Sequence, residues 1–186
     1  MGGFSVLAFV SGDLTKGGIG PAKFTSLDPL MFSEISATVG EISISGMRFR
    51  FDVSSNDLRG KTNLVNPANS QCFDGSLGTM TSSVFVGTSP TDVVKVDAGA
   101  VGNYFVAVKL QETVGVNTTG YWGLVGSSDD VTYSTIVSGG FFGGSSGGTF
   151  VARVCAVVNN IRYLKVRGWG SGIMMGVYEL AAWRLV

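Results

Sequence analysis

YWGLVGSSDDVTYSTI, residues 121–136, reads as two short extended segments around a polar bend. Residues 121–126 and 132–137 are rich in β-branched and aromatic side chains, the composition of a strand. Between them, Ser127 to Asp130 are residue types whose side chains accept backbone N–H bonds in turns. Beyond the bend, alternation sets Val131 and Tyr133 on one face and Thr132 and Ser134 on the other. The adjacent acids Asp129 and Asp130 invite a cation reading, but calcium wants about six to eight oxygens and one turn supplies too few. The stretch predicts a β-hairpin.

The same two-residue period extends outward in both directions. In EISISGMRFRFDV, residues 41–53, apolar positions fall at Ile42 and Ile44, then change parity to Met47, Phe49, Phe51 and Val53. Ser45-Gly46 stands at the change, which predicts one strand with a β-bulge. Further strands are expected over 93–96, 104–111, 149–158, 162–167 and 177–186, each bounded by Gly, Ser, Asn or Asp. No segment carries an apolar stripe at helical spacing over three turns, so helix is confined to a turn around 66–73. Strands at this density predict an all-β, antiparallel β-sandwich or barrel.

A chain of 186 residues is most simply one domain with room for an appended arm. Residues 35–186 carry the strand pattern. Residues 1–34 do not: Gly17, Gly18, Gly20, Pro21 and Pro29 interrupt apolar pieces such as FSVLAFV and LDPLMF, predicting an irregular N-terminal arm that docks on a surface. GGFFGGSSGG, residues 139–148, reads as a flexible loop bearing Phe141 and Phe142.

Thirteen basic and thirteen acidic residues cancel without forming a block, so the footprint of a nucleic-acid binder is missing. Near-zero net charge with positive mean hydropathy (+0.34) favours self-association. No run approaches the roughly 18 apolar residues of a membrane helix, and the apolar start lacks a basic leader, so neither membrane insertion nor a signal peptide is expected.

The chain has no histidine, which removes the commonest general base and the commonest metal ligand. GSSGG, residues 144–148, has the letters of a nucleophile elbow but neither a histidine nor a following helix. SNDLRGKT, residues 55–62, comes near a phosphate loop, yet Pro67 follows and the helix that would hold phosphate cannot form. No catalytic residue, metal or cofactor is expected. Cys72 and Cys155 are read as free thiols, Cys155 lying in the apolar run VARVCAVV. Aromatics beside sandwich loops cap core ends or stack on sugar rings; Phe141, Phe142 and Trp169 are the ligand-binding candidates. Arg162, Lys165 and Arg167 are assigned to a solvated or subunit-facing strand surface.

The order of motifs adds a family. Phe73-Asp74-Gly75 is followed by Val96-Asp97-Ala98-Gly99, then Ser128-Asp129-Asp130, then the strand Ile161-Arg162-Tyr163-Leu164-Lys165-Val166 and a terminal VYELAAWRLV. In this order they resemble the discoidin or galactose-binding-like β-sandwich, over roughly residues 35–186. Asp130 replaces the glycine usual after the hairpin aspartate, so the family's sugar-binding residues do not carry over. The ending is similar to versions of this jelly-roll module in tailed-phage virion proteins. That resemblance implies a non-enzymatic structural protein of a bacteriophage particle, a capsid decoration or tail-associated component made in the host cytoplasm. Its partners would be a homo-oligomer, other virion proteins and host-surface glycans. The alternative is a carbohydrate-binding module or lectin.

Overall fold

The computed structural model describes residues 6–12, 41–44, 47–76 and 78–185, with side chains from Asn56 onward except that of Cys155. Its strands are β1 (Val6–Gly12), β2 (Glu41–Ile44), β3 (Met47–Asn56), β4 (Val84–Val86), β5 (Thr91–Val114), β6 (Thr119–Ser127), β7 (Ser134–Phe142), β8 (Gly148–Gly170) and β9 (Ile173–Leu185). They form one antiparallel sheet in the order β2-β3-β9-β5-β8-β6-β7, with β1 added on β8 and β4 on β9. The sheet curls on itself in the manner of a sandwich, as the periodicity predicts.

Two long strands make the curl. The first part of β5 pairs with the last part of β8, Asp92 opposite Arg167 and Asp97 opposite Tyr163. Its second part pairs with the first part of β8 on one side and with β9 on the other, Val106 lying between Ala156 and Ala182. The β5–β8 register breaks between Asp97 and Tyr104. Gly99 (φ 98°) and Asn160 (φ 58°) stand at that break, in a left-handed conformation that Gly and Asn tolerate best. Extra residues at a break bend the strands and increase their twist.

One wing therefore holds β1, β4, β9 and β3 around half of β5 and β8, and the other holds β6 and β7 beside the remaining halves. Their inner faces meet: a Cβ built on Gly120 of β6 would lie 3.1 Å from Val114 of β5 and 3.2 Å from Ile173 of β9. Tyr104, Val106, Val108 and Leu110 alternate inward along β5, joined by Trp122, Leu124, Leu164, Val166, Met175 and Leu180 in one core cluster. Burying each of the larger ones stabilises the fold by about 1.5–3 kcal/mol.

Several expectations are corrected. Residues 41–53 are not one bulged strand: β2 and β3 are antiparallel neighbours with Ile44 opposite Met47. A two-residue connection puts positions i and i+3 opposite each other on one face, so a hairpin gives the same parity change as a bulge; Ser45 and Gly46 themselves lie outside the described residues. Residues 139–142 belong to β7 rather than to a loop, because they continue the ladder to β6, Phe141 opposite Gly120 and Phe142 opposite Thr119. Of the arm expected over residues 1–34, only Val6–Gly12 is described, as a strand on β8. The helical turn near 66–73 is two 3-10 turns, Pro67–Asn69 and Gln71–Phe73, so no long helix follows GKT.

Candidate functional site

The hairpin of residues 121–136 forms, β6 and β7 pairing from Thr119–Phe142 to Gly126–Ser134. Val131 to Tyr133, expected to alternate between two faces, belong instead to the bend, because β7 begins only at Ser134; Val131 and Thr132 are both exposed. Its bend is built by its own side chains. Ser127 Oγ accepts from the N–H groups of Asp129 (3.2 Å) and Asp130 (3.0 Å), and Asp129 Oδ1 accepts from those of Val131 and Thr132 (both 2.9 Å). Those backbone bonds hold the Asp129 carboxyl below the ordinary carboxylate range. Asp130 is engaged elsewhere: Lys95 Nζ stands 2.7 Å from its Oδ1, and Tyr133 donates its hydroxyl to it. Both acids are occupied in holding the bend, which accounts for them without a cation.

Adjacent aromatics on a strand must face opposite ways. Trp122 turns into the core, 1% exposed, while Tyr121 turns out, 43% exposed. Opposite Tyr121 on β8 stands Trp169, and the two rings stack with centroids 5.7 Å apart and planes 11° from parallel. On the other side of Tyr121 is Gly140 of β7, whose missing side chain leaves the Tyr121 ring uncovered; a Cβ there would lie 2.9 Å from Tyr121 Cδ1. Phe142, 49% exposed, rises beyond. Together with Thr119, Ser138, Gly139 and Phe141 these residues line a groove of about 620 Å³. That lies within the range of roughly 300–1,000 Å³ usual for small-molecule sites.

All three aromatics predicted from sequence thus line one groove, in different roles. Trp169 and Phe142 present ring surface. Phe141 borders the groove but buries its ring, 7% exposed and stacked on Phe150 at 5.0 Å between centroids. Sequence reasoning missed Tyr121. Its signal was present in the pair Tyr121-Trp122, one of which has to face out, although the pair does not say which.

Along β8 the outward side chains next to Trp169 are Arg167 and Lys165, each in a cross-strand ion pair. Asp92 accepts Arg167 on Oδ1 (Nη2 2.9 Å, Nε 3.1 Å) and Lys165 on Oδ2 (3.0 Å). Lys165 also stands 3.8 Å from the centre of the Tyr133 ring, a cation–π distance. At the far end Arg162 grips Asp97 with two bonds, 2.8 and 2.7 Å, and this hydrogen bonding holds the Asp97 carboxyl below its ordinary range. Elsewhere, the Phe73-Asp74-Gly75 turn is anchored by Glu179, which is 3% exposed and accepts from the Gly75 N–H at 3.1 Å. Burial raises the Glu179 carboxyl to about 8. These groups position strands and turns and face no common reacting centre.

No family model and no curated protein matches the chain. Among solved structures, chitosan-binding module 1 of a chitosanase/glucanase from Paenibacillus sp. IK-5 aligns with a TM-score of 0.40 at 16% identity, over 69% of this chain and 98% of that one. A selenomethionine-labelled point mutant of the same module aligns at 0.42 and 15%, over 69% and 97%. The assignment of the fold rests on the strand pairing and core above, not on a likeness of this degree.

Proposed function

We propose that this chain is a non-enzymatic carbohydrate-binding β-sandwich, and that it holds a glycan in the groove formed by Tyr121, Trp169 and Phe142. The observation that carries the reading is the pair of stacked, outward-facing rings at the floor of the groove. Sugar rings present a flat C–H face that packs on an aromatic plane, while their hydroxyls need hydrogen-bonding partners at the edge. Thr119 and Ser138 supply such hydroxyls among the lining residues. The platform sits on paired strands, whose positions are fixed by backbone ladders; a preformed site loses less entropy on binding.

Nothing in this geometry favours the virion component, or a homo-oligomer, over the glycan reading. A glycan array probed with the full chain and with Tyr121→Ala and Trp169→Ala variants tests it. We expect saturable binding that each substitution weakens by about tenfold, which is roughly 1.4 kcal/mol and lies within the range of about 0.5–1.5 kcal/mol that a stacked aromatic contact supplies beyond its buried area. Absence of any saturable signal, or binding indifferent to both substitutions, defeats the proposal.

A further inference from the structure

We infer that the glycan taken by this groove is an acidic one, bearing carboxylate or sulfate groups, and that Arg167 meets the acid; this rests on the glycan reading above. Two observations on the same face lead to it.

The first is how the groove continues. Ser138, one of its lining residues, lies opposite Gly123, and Gly123 lies opposite Arg167. The three make one cross-strand row directly beside the row of Gly140, Tyr121 and Trp169. In that row the middle position has no side chain and the outer one only a hydroxymethyl, and Gly123 lies against both the Trp169 ring and the Arg167 stem: a Cβ there would be 3.5 Å from Trp169 Cζ3 and 3.7 Å from Arg167 Cγ. Successive outward positions on a strand are about 7 Å apart. A ring stacked on Trp169 therefore brings its own substituent, or that of the next sugar, to Arg167.

The second is the charge arrangement. Lys95 pairs with Asp130 and Arg162 with Asp97, one cation to one acid. Asp92 forms ion pairs with two cations, Lys165 and Arg167. Lys95, Lys165 and Arg167 thus face two acids, Asp92 and Asp130, an excess of one positive charge in this cluster. The ionised Asp129 lies beyond it at the hairpin tip, past Ser127, whose row is four positions along β6 from that of Arg167. A guanidinium has more N–H donors than the two Asp92 uses, and its planar fork matches carboxylate and sulfate. Arg167 is 26% exposed and Lys165 14%; partial shelter from water strengthens their attraction for an anion relative to a fully solvated site. Asp92 also fixes the guanidinium, so little order has to be imposed on binding.

The test is a glycan array of neutral, uronic-acid, sulfated and cationic glucosamine oligosaccharides, read at low salt and about 0.5 M salt with the full chain and with Arg167→Gln. We expect the acidic members to bind about tenfold more tightly than neutral ones of similar size, and both added salt and Arg167→Gln to shrink that ratio to about twofold. Separate uronic-acid and sulfated members show which anion is preferred. Equal or tighter binding of neutral or glucosamine oligosaccharides, still lost in Trp169→Ala, overturns the acidic ligand and leaves the glycan reading standing. An acidic preference that survives Arg167→Gln with native-like circular dichroism overturns the role of Arg167. Retention of no member overturns both readings.

Discussion

Glu112 on β5 and Gly120 on β6 face each other across the core, so that a Cβ built on the glycine would lie 2.9 Å from Glu112 Oε2. The carboxyl sits beneath the groove floor, since Gly120 precedes Tyr121. It is fully buried, and neither oxygen has a hydrogen-bond partner among the described residues. Cross-strand neighbours are Phe150 and Met175, which offer no compensating charge. Burial accordingly raises this acid from 4.5 to about 8, keeping it protonated at neutral pH.

That position makes stability fall with rising pH. Below about pH 4.5 the group is protonated in both folded and unfolded chains and contributes no pH dependence. Between 4.5 and 8 the unfolded chain releases the proton and the folded one keeps it, which costs the fold about 1.4 kcal/mol per pH unit. Glu112→Gln removes this contribution. Thermal melts at pH 5 and pH 8 should show a smaller loss of Tm for the variant than for the wild type; equal losses would show that Glu112 does not titrate in this way.

Two glycines of the groove face should respond in opposite ways to alanine. At Gly140 a Cβ would come within 2.6 Å of the Gly120 carbonyl oxygen and 2.9 Å of the Tyr121 ring, and backbone cannot move aside cheaply. Gly140→Ala should lower stability by about 1–3 kcal/mol and weaken glycan binding. At Gly123 the nearest atom is Trp169 Cζ3 at 3.5 Å, an ordinary contact. Gly123→Ala should melt within a few degrees of the wild type. Denaturant titration of both variants checks the contrast, and equal destabilisation would contradict it.

The bend after β6 depends on an ionised Asp129. Its folded-state carboxyl lies below the unfolded value of 3.8, chiefly because it accepts the Thr132 and Val131 N–H groups. The stabilisation is therefore present above that unfolded value and is lost as pH falls through the folded one. Asp129→Ala should lower Tm at pH 7, and the gap from wild type should narrow in acid. A gap that stays constant down to pH 2 would refute this assignment.

Cys72 is free and fully buried, and its thiol is pushed up to about 12, first by burial and then by Glu179. The reactive form is the thiolate. In a Cys155→Ala background, a disulfide reagent at pH 8 should label Cys72 only after denaturant is added. Rapid labelling of the native chain would show that the Cys72 pocket opens.

The strands of the second half were legible because alternation and turn residues are local properties. Residues 93–96 and 104–111 lie within β5, and 149–158 and 162–167 within β8. Their fusion into two long strands was not legible. Gly99, Asn103 and Asn160 read as breaks, whereas here they serve a bend in continuous ladders, with Asn160 N–H donating to Asn103 Oδ1 at 3.1 Å. β4 was too short to carry a period, and its partner β9 lies far along the chain. In residues 41–53, hairpin and bulge leave the same trace, so only the pairing of Ile44 with Met47 separates them.

By itself the sequence determined that the chain alternates, that it turns at Ser127 to Asp130, and that aromatics cluster near 121, 141 and 169. It required one of Tyr121 and Trp122 to face away from the core. Which one was decided only in the tertiary structure, when the β6–β7 wing closed over β5 and β9 and covered the Trp122 side. The same closure put Phe141 inside and left Phe142, Tyr121 and Trp169 to line the groove on the open face. The physical reason is range: alternation follows from adjacent residues, whereas the choice of buried face depends on strands far apart in sequence that become neighbours only on folding.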